Sequence, residues 1–287
     1  MLEGEFILDG YSFGTAAHNV VILEDGFDTG AVSPRAQDAE LRDYTLFGRD
    51  YYTAPTWAFT LGISHDDDAD AIMADLARVW RNPAVRLTPG VTSTLQFKRN
   101  GREYRVYGRP RRFAMVPDAV ADPNWQMVDA DFRVDGALMY ADEEQMANLS
   151  LGEQIEDAGV ILPETKPWLL GGTTASGTAI ANVQTLDPAP FVATITAVGG
   201  PLSQFSLEGD GWALDFGMTL EAGQSLTVDT RAMTALLSGS SVAGALSRRS
   251  SLAARLWAGS STLAFTGIDP TGTATATVTW RSTYPIF

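Results

Sequence analysis

The chain closes on a strict alternation. From Thr273 to Thr279 every second residue is threonine, and Ala274, Ala276, Val278 and Trp280 fill the other positions. Period two sends the apolar set to one face of a strand and the threonines to the other. This predicts the inner face of an antiparallel sandwich, where burying Val278 and Trp280 contributes roughly 2–3 kcal/mol each. Similar runs recur upstream at about residues 178–185, 190–197, 203–208, 212–220, 224–229, 252–257 and 261–266. Glycines or polar turns part most of them, the rhythm of a β-sandwich or jelly roll. The stretch TRAMTALL (230–237) is expected to form a short helix.

The first half has a different texture. Residues 3–23 read as two short strand-like runs, and TWAFTLGIS (56–64) reads as a strand. After it, Ile72, Leu76, Val79 and Trp80 fall on one helical face. Aspartates 66–68 and 70 stand at the start of that helix, where its dipole favours negative charge, and Asn82-Pro83 ends it. In STLQFKRNGREYRVYG (93–108), Asn100-Gly101 is the preferred pair for a two-residue type I′ turn. That turn pairs Phe97 with Tyr104 and Leu95 with Val106 on one face, and Lys98 with Glu103 and Gln96 with Arg105 on the other. A further strand over 124–136 points Val128, Ala130, Phe132 and Val134 inward.

Two stretches keep no period. Residues 24–56 mix charges of both signs with Tyr44, Phe47, Tyr51 and Tyr52; a solvated loop and an arm or interaction loop are equally open readings, the aromatics being poorly placed in water. Residues 141–170 are acidic and end in prolines. The expected division is a β-rich domain with one amphipathic helix (1–142), a crossing (143–170) and a sandwich (171–287). Charge follows the same division: residues 1–160 carry −13 of the total −15, and residues 161–287 carry −2. So acidic a chain repels nucleic acid as a whole. The absence of cysteine excludes disulfide and zinc-thiolate frameworks. No stretch approaches a membrane span. The acidic opening lacks the basic region of a signal peptide, so a protein made and used without that export route is expected.

Catalytic chemistry is sparse. The two histidines are His18 and His65, and GSSVAG (239–244) has the wrong spacing for a nucleophile elbow. Asp66, Asp68 and Asp70 imitate the start of a calcium loop, but Ala71 and Ala77 stand where glycine and glutamate are required. No P-loop or dinucleotide fingerprint is present. The basic run 98–112 has its charges split between hairpin faces and fits a partner surface better than nucleic acid. Trp212, Trp257 and Trp280 are expected to face inward, as core rather than sugar platforms. No cofactor or metal is expected, and the chain does not read as an enzyme.

Three stretches together resemble the distal tail proteins of long non-contractile-tailed (siphovirus-type) phages, particularly those of actinobacteria. They are FILDGYSFG with the charged arm behind it, the run from TWAFTLGIS to VDADFRVDGALMYAD, and the C-terminal order of AGQSLTVDT, LWAGSSTLAF and the strand closing on Trp280-Arg281. One departure is Asn182-Val183-Gln184, where the pattern calls for a glycine-bearing turn. The resemblance implies a structural virion protein with a galectin-like C-terminal sandwich. Such proteins form a ring, usually hexameric, at the tip of the tail tube. The ring joins the tube protein to baseplate, tail-tip or tail-fibre proteins, and DNA passes through it. The implied location is the virion tail tip, reached after assembly in the host cytoplasm, with no membrane insertion and no specific nucleic-acid binding. Subunit contacts are expected from the arm and the hairpin: Arg35, Asp38, Arg42, Asp43, Phe47, Asp50, Tyr51, Lys98, Arg102 and Arg105. A carbohydrate-binding sandwich is the competing expectation.

Overall fold

A computed structural model describes residues 1–26, 32–34, 39–41, 44–46, 50–64, 68–116, 125–151 and 175–286. The chain divides into two compact units. One is Met1–Asp142 with the last residues from Tyr284 on, and the other is Glu143–Thr283.

The first unit opens with β1 (Phe6–Leu8), β2 (Tyr11–Phe13) and β3 (Val20–Gly26). The expected irregular segment then holds four short strands: β4 (Val32–Pro34), β5 (Ala39–Leu41), β6 (Tyr44–Leu46) and β7 (Asp50–Tyr52). β4 pairs with β7 and β5 with β6, so the arm is built from nested antiparallel ladders. Strands this short leave almost no periodic signal. β8 (Thr56–Ser64), α1 (Ala69–Trp80) and the single turn α2 (Pro83–Arg86) follow, then β9 (Ser93–Arg99), β10 (Arg102–Met115), β11 (Trp125–Val134) and β12 (Leu138–Ala141).

Seven of these strands run β2-β1-β9-β10-β11-β8-β3. The two ends of that order meet at a parallel bridge, where Gly14 N donates to Val20 O at 2.8 Å and Ile22 N to Gly14 O at 3.4 Å. The sheet thus closes on an aromatic interior. Phe6 stacks on Phe13 and Phe97 at 5.6 and 5.7 Å, and Trp80 meets Phe13 and Phe59 edge-on at 6.2 Å. α1 buries Met73, Leu76 and Trp80 against this core, while Ile72 and Val79 pack partly buried beside them. Asp68 caps the helix by accepting from Ala71 N. Asn82 both ends the α1 region and caps α2.

The hairpin has the expected register throughout, from Arg99↔Arg102 to Phe97↔Tyr104 and Leu95↔Val106. Val128, Ala130, Phe132 and Val134 of β11 are all buried. β10 carries Pro110 in its middle and its pairing shifts between Pro110 and Phe113. A proline cannot donate to the ladder and is tolerated at such a bulge.

The second unit is a two-sheet sandwich. β13 (Gln145–Ser150), β15 (Phe191–Thr196), β18 (Ser225–Asp229), β19 (Thr234–Leu237), β20 (Ser240–Ser241) and β22 (Thr275–Trp280) form one sheet in the order β13-β22-β15-β18-β19-β20. β14 (Ala175–Val183), β16 (Leu202–Gly209), β17 (Trp212–Leu220) and β21 (Gly259–Ile268) form the other, in the order β14-β21-β16-β17. The closing alternation is as expected: Ala274, Ala276, Val278 and Trp280 are buried in the core between the sheets.

Four expectations need correction. The stretch 143–170 is not only a crossing, because β13 lies along β22 from Gln145↔Trp280 to Ser150↔Thr275 and buries Ala147 and Leu149. Residues 230–237 are not a helix: Asp229 Oδ1 takes Arg231 N and Ala232 N in a turn, and β19 then pairs with β18. Residues 252–257 bury Ala254 and Leu256 yet pair only through one bridge, Ala189↔Leu256, because alternate burial does not require a ladder. Finally, the last strand, β23 (Thr283–Pro285), pairs with β12, and Tyr284 packs edge-on against Tyr104 at 5.6 Å, so the chain ends in the first unit rather than in the sandwich. At Asn182-Val183, β14 runs straight against Ser260 and Gly259, and the glycine stands on the partner strand.

Candidate interaction surfaces

The hairpin presents its charges unequally. Lys98 Nζ donates to Met1 O at 3.0 Å and lies 3.7 Å from Glu103. Arg105 donates from Nε and Nη2 to Asp142 Oδ1 at 2.8 and 2.7 Å, and Gln96 Nε2 donates to the same oxygen at 2.8 Å. Burial disfavours the Arg105 cation, but the Asp142 contact outweighs it and holds the guanidinium above its usual pKa. Arg102, by contrast, is exposed, with no partner among the described residues. Of the arm residues, Asp50 and Tyr51 lie in β7, opposite Pro34 and Ser33. Arg35, Asp38, Arg42, Asp43 and Phe47 lie outside the described residues, as does His65.

Two charged features escape a reading of the sequence alone. One is an open acidic groove of about 740 Å³ lined by Glu24, Asp25, Asp129 and Asp131, with Arg112 tied to Asp129 at 3.0 Å. The other is a group of three arginines, Arg109, Arg111 and Arg133, around a smaller recess of about 270 Å³. What places these three together is the β10–β11 register, which no single charge run along the chain reveals.

Reactive constellations are missing among the described residues. His18 Nε2 lies 2.9 Å from Glu5 Oε1, and Glu5 also accepts from Leu2 N at 2.5 Å. The Leu2 bond, with the His18 contact, overcomes burial and holds the Glu5 carboxyl below its usual pKa. The pair ties the start of the chain to the loop after β2, with no hydroxyl nucleophile among its bonded partners. No group of three metal-ligating side chains occurs among the described residues. No helix among them is long and apolar enough to cross a membrane. Trp280 is buried and Trp212 packs on Phe191 at 4.7 Å, both as expected. Trp257 departs from expectation, being 59% exposed.

In its fold, a mainly antiparallel chain with an aromatic-filled sheet, one substantial helix and a two-sheet sandwich, the chain is similar to solved structures of phage tail proteins. The similarity extends over essentially the whole chain. The Dit protein of phage SPP1, described as a paradigm of the hub adsorption apparatus in phages infecting Gram-positive bacteria, matches with a TM-score of 0.59 at 11% identity, covering 98% of each chain. The phage P2 baseplate in its activated conformation matches with TM-scores of 0.53 (with Ca, 10% identity) and 0.51 (with Sr, 11%), in each case over 96% of this chain and 97% of the other. No family model and no curated protein matches.

Proposed function

We propose that this chain is a structural distal tail protein of a long-tailed phage, without catalytic activity. The observation that carries the reading is whole-length correspondence: both units, in order, are matched by the SPP1 hub protein over 98% of each chain. Copies assemble as a ring, hexameric by analogy, at the tip of the tail tube. The first unit builds the ring, with the arm of residues 24–55 and the hairpin at 95–106, above all its tip at Arg102, as contact elements. The galectin-like sandwich reaches baseplate or fibre proteins. The ring joins these to the tail tube protein at the virion tail tip, after assembly in the host cytoplasm. Part of the acidic first-unit surface lines the channel, where like charge keeps passing DNA from adhering.

Native mass spectrometry with negative-stain imaging tests this. Six-fold rings, formed alone or on adding the tail tube protein, are the expected result. A chain that stays monomeric in both conditions overturns the ring, and a neutral or basic lumen overturns the channel assignment.

One observation favours a second reading. Trp257 offers the sandwich an exposed aromatic face of the kind that stacks on sugars. A glycan array on the whole chain separates the readings. The whole chain is needed because β13, at 145–150, belongs to the sandwich and a fragment starting at 171 lacks it.

A further inference from the structure

We propose that the outer face of β10 and β11, with the loop at residues 87–92, is a docking site for an acidic segment of a partner protein that also carries apolar side chains. Arg109 and Arg133 stand directly opposite each other across the ladder. Like charges at such a pair oppose folding. The bulge after Pro110 leaves Arg111 and Arg112 exposed in succession. Arg112 turns to Asp129, and Arg111 joins Arg109 and Arg133 around the recess.

None of the three has a carboxylate within 4.0 Å among the described residues, whereas Arg78, Arg105, Arg112 and Arg249 all do. Their bonds go to neutral groups. Arg109 donates to Val91 O at 2.7 Å and Thr88 O at 2.6 Å, and Arg133 donates to Thr56 Oγ1 at 3.0 Å. Asp135 is the single acid at the recess among the described residues. A chain of formal charge −15 thus gathers three cations against one acid at a single exposed point.

The neighbours decide the class of ligand. By holding the carbonyls of Thr88 and Val91, Arg109 fastens a loop whose Leu87 is 81% exposed and whose Val91 is 39% exposed. Arginine beside exposed aliphatic surface is the composition of a protein contact. A free phosphate has no use for Leu87. A nucleic-acid backbone laid along β11 meets Asp131 and Asp129 two and four residues from Arg133, on the same face of the strand. Carboxylates suit the guanidinium fork.

The site does not depend on ring formation and can be tested on the isolated full chain. A fluorescein-labelled peptide of alternating glutamate and leucine is titrated at low salt and followed by anisotropy. Saturable binding is expected despite the overall negative charge. The Arg111→Ala/Arg133→Ala pair and, separately, Leu87→Ser each weaken it by about tenfold or more, while Arg249→Ala leaves it unchanged. A peptide with glutamine for glutamate loses binding to the unaltered protein, a control that needs no variant to fold. The proposal is overturned by absent binding, or by binding indifferent to the arginines or to the glutamates. Binding of inorganic phosphate without the peptide makes the recess a simple ion pocket, and tighter binding of single-stranded DNA assigns it to nucleic acid. Either result overturns the proposal too.

Discussion

Asp269 Oδ2 accepts the backbone N–H of Ala274 at 2.8 Å, the residue at which the closing alternation enters the core. The same oxygen takes Thr273 N at 2.8 Å, while Oδ1 takes Thr271 N and Thr271 Oγ1 at 2.9 and 2.7 Å. The carboxylate is fully buried and organises the turn from β21 into β22. Burial on its own pushes its pKa up, but the four bonds outweigh that and hold it below the usual aspartate value. A depressed folded pKa means stability that is complete above the unfolded value of about 4 and is lost as pH falls through the folded value. Asp269→Asn turns an amide donor toward N–H donors. We expect it to lower stability by about 2–3 kcal/mol and to flatten the acid side of the stability–pH curve. Urea melts between neutral and acidic pH measure both. An unchanged curve removes the turn-organising role.

At the hairpin tip, Asn100 and Gly101 have φ of +53° and +75°, and Glu3 accepts Gly101 N at 3.1 Å. A Cβ at residue 101 meets nothing within 4 Å, so backbone conformation is the whole cost there. Gly101→Ala is predicted to destabilise by about 1–2 kcal/mol without changing the fold, read as a lowered melting temperature with an unaltered far-UV spectrum.

The hairpin is legible in the sequence because turn chemistry and cross-strand pairing agree at every position, and Leu76 and Trp80 are legible because a helical face is long enough to show its period. The arm is not: a three-residue strand carries too little alternation to distinguish it from loop. Thr234–Leu237 misleads because its local preference is overridden by pairing to β18. Residue type alone points Trp257 inward, and its exposure comes from a segment that bridges once, at Leu256, and then turns into β21. The arginine group is a product of register. Arg109 and Arg133 are 24 residues apart in the chain and meet only because Gly108 pairs with Val134.

β13 and β14 belong to different sheets but approach closely at one point. A Cβ on Gly177 comes 1.9 Å from the carbonyl oxygen of Ser150. Both partners are held by ladders, Gly177 to Phe265 and Ser150 to Thr275, so neither can move alone. Gly177→Ala is therefore expected to cost about 1–3 kcal/mol or more by overpacking. Protease sensitivity should rise in the sandwich, mapped by limited digestion. A neutral variant shows that β13 detaches readily.

The tryptophans make a paired prediction. Trp280→Ala removes a buried ring from the core and should cost about 3–5 kcal/mol. Trp257→Ala should stay within about 0.5 kcal/mol, because its ring is largely in solvent. If the sandwich binds sugar through Trp257, only the second change abolishes glycan binding while leaving the melt intact.

Arg102 and Arg105 sit on one strand and should answer differently to substitution. Arg105 is committed internally: its two donors share Asp142 Oδ1 with Gln96. Arg105→Ala leaves that carboxylate underpaired in a partly buried setting, so a loss of about 1.5–3 kcal/mol is expected. Any weakening of assembly would then follow from a weakened unit. Arg102 is exposed and unpartnered among the described residues, so Arg102→Glu should leave the melting temperature unchanged. If the hairpin tip meets a neighbouring copy, the same change shifts the mass distribution from rings toward single subunits, more strongly at low salt than at high salt. Thermal melts and native mass spectra on the two variants separate a contact residue from a positioning one. Rings that persist undiminished in the Arg102→Glu protein exclude the hairpin tip from the contact and leave the arm to make it.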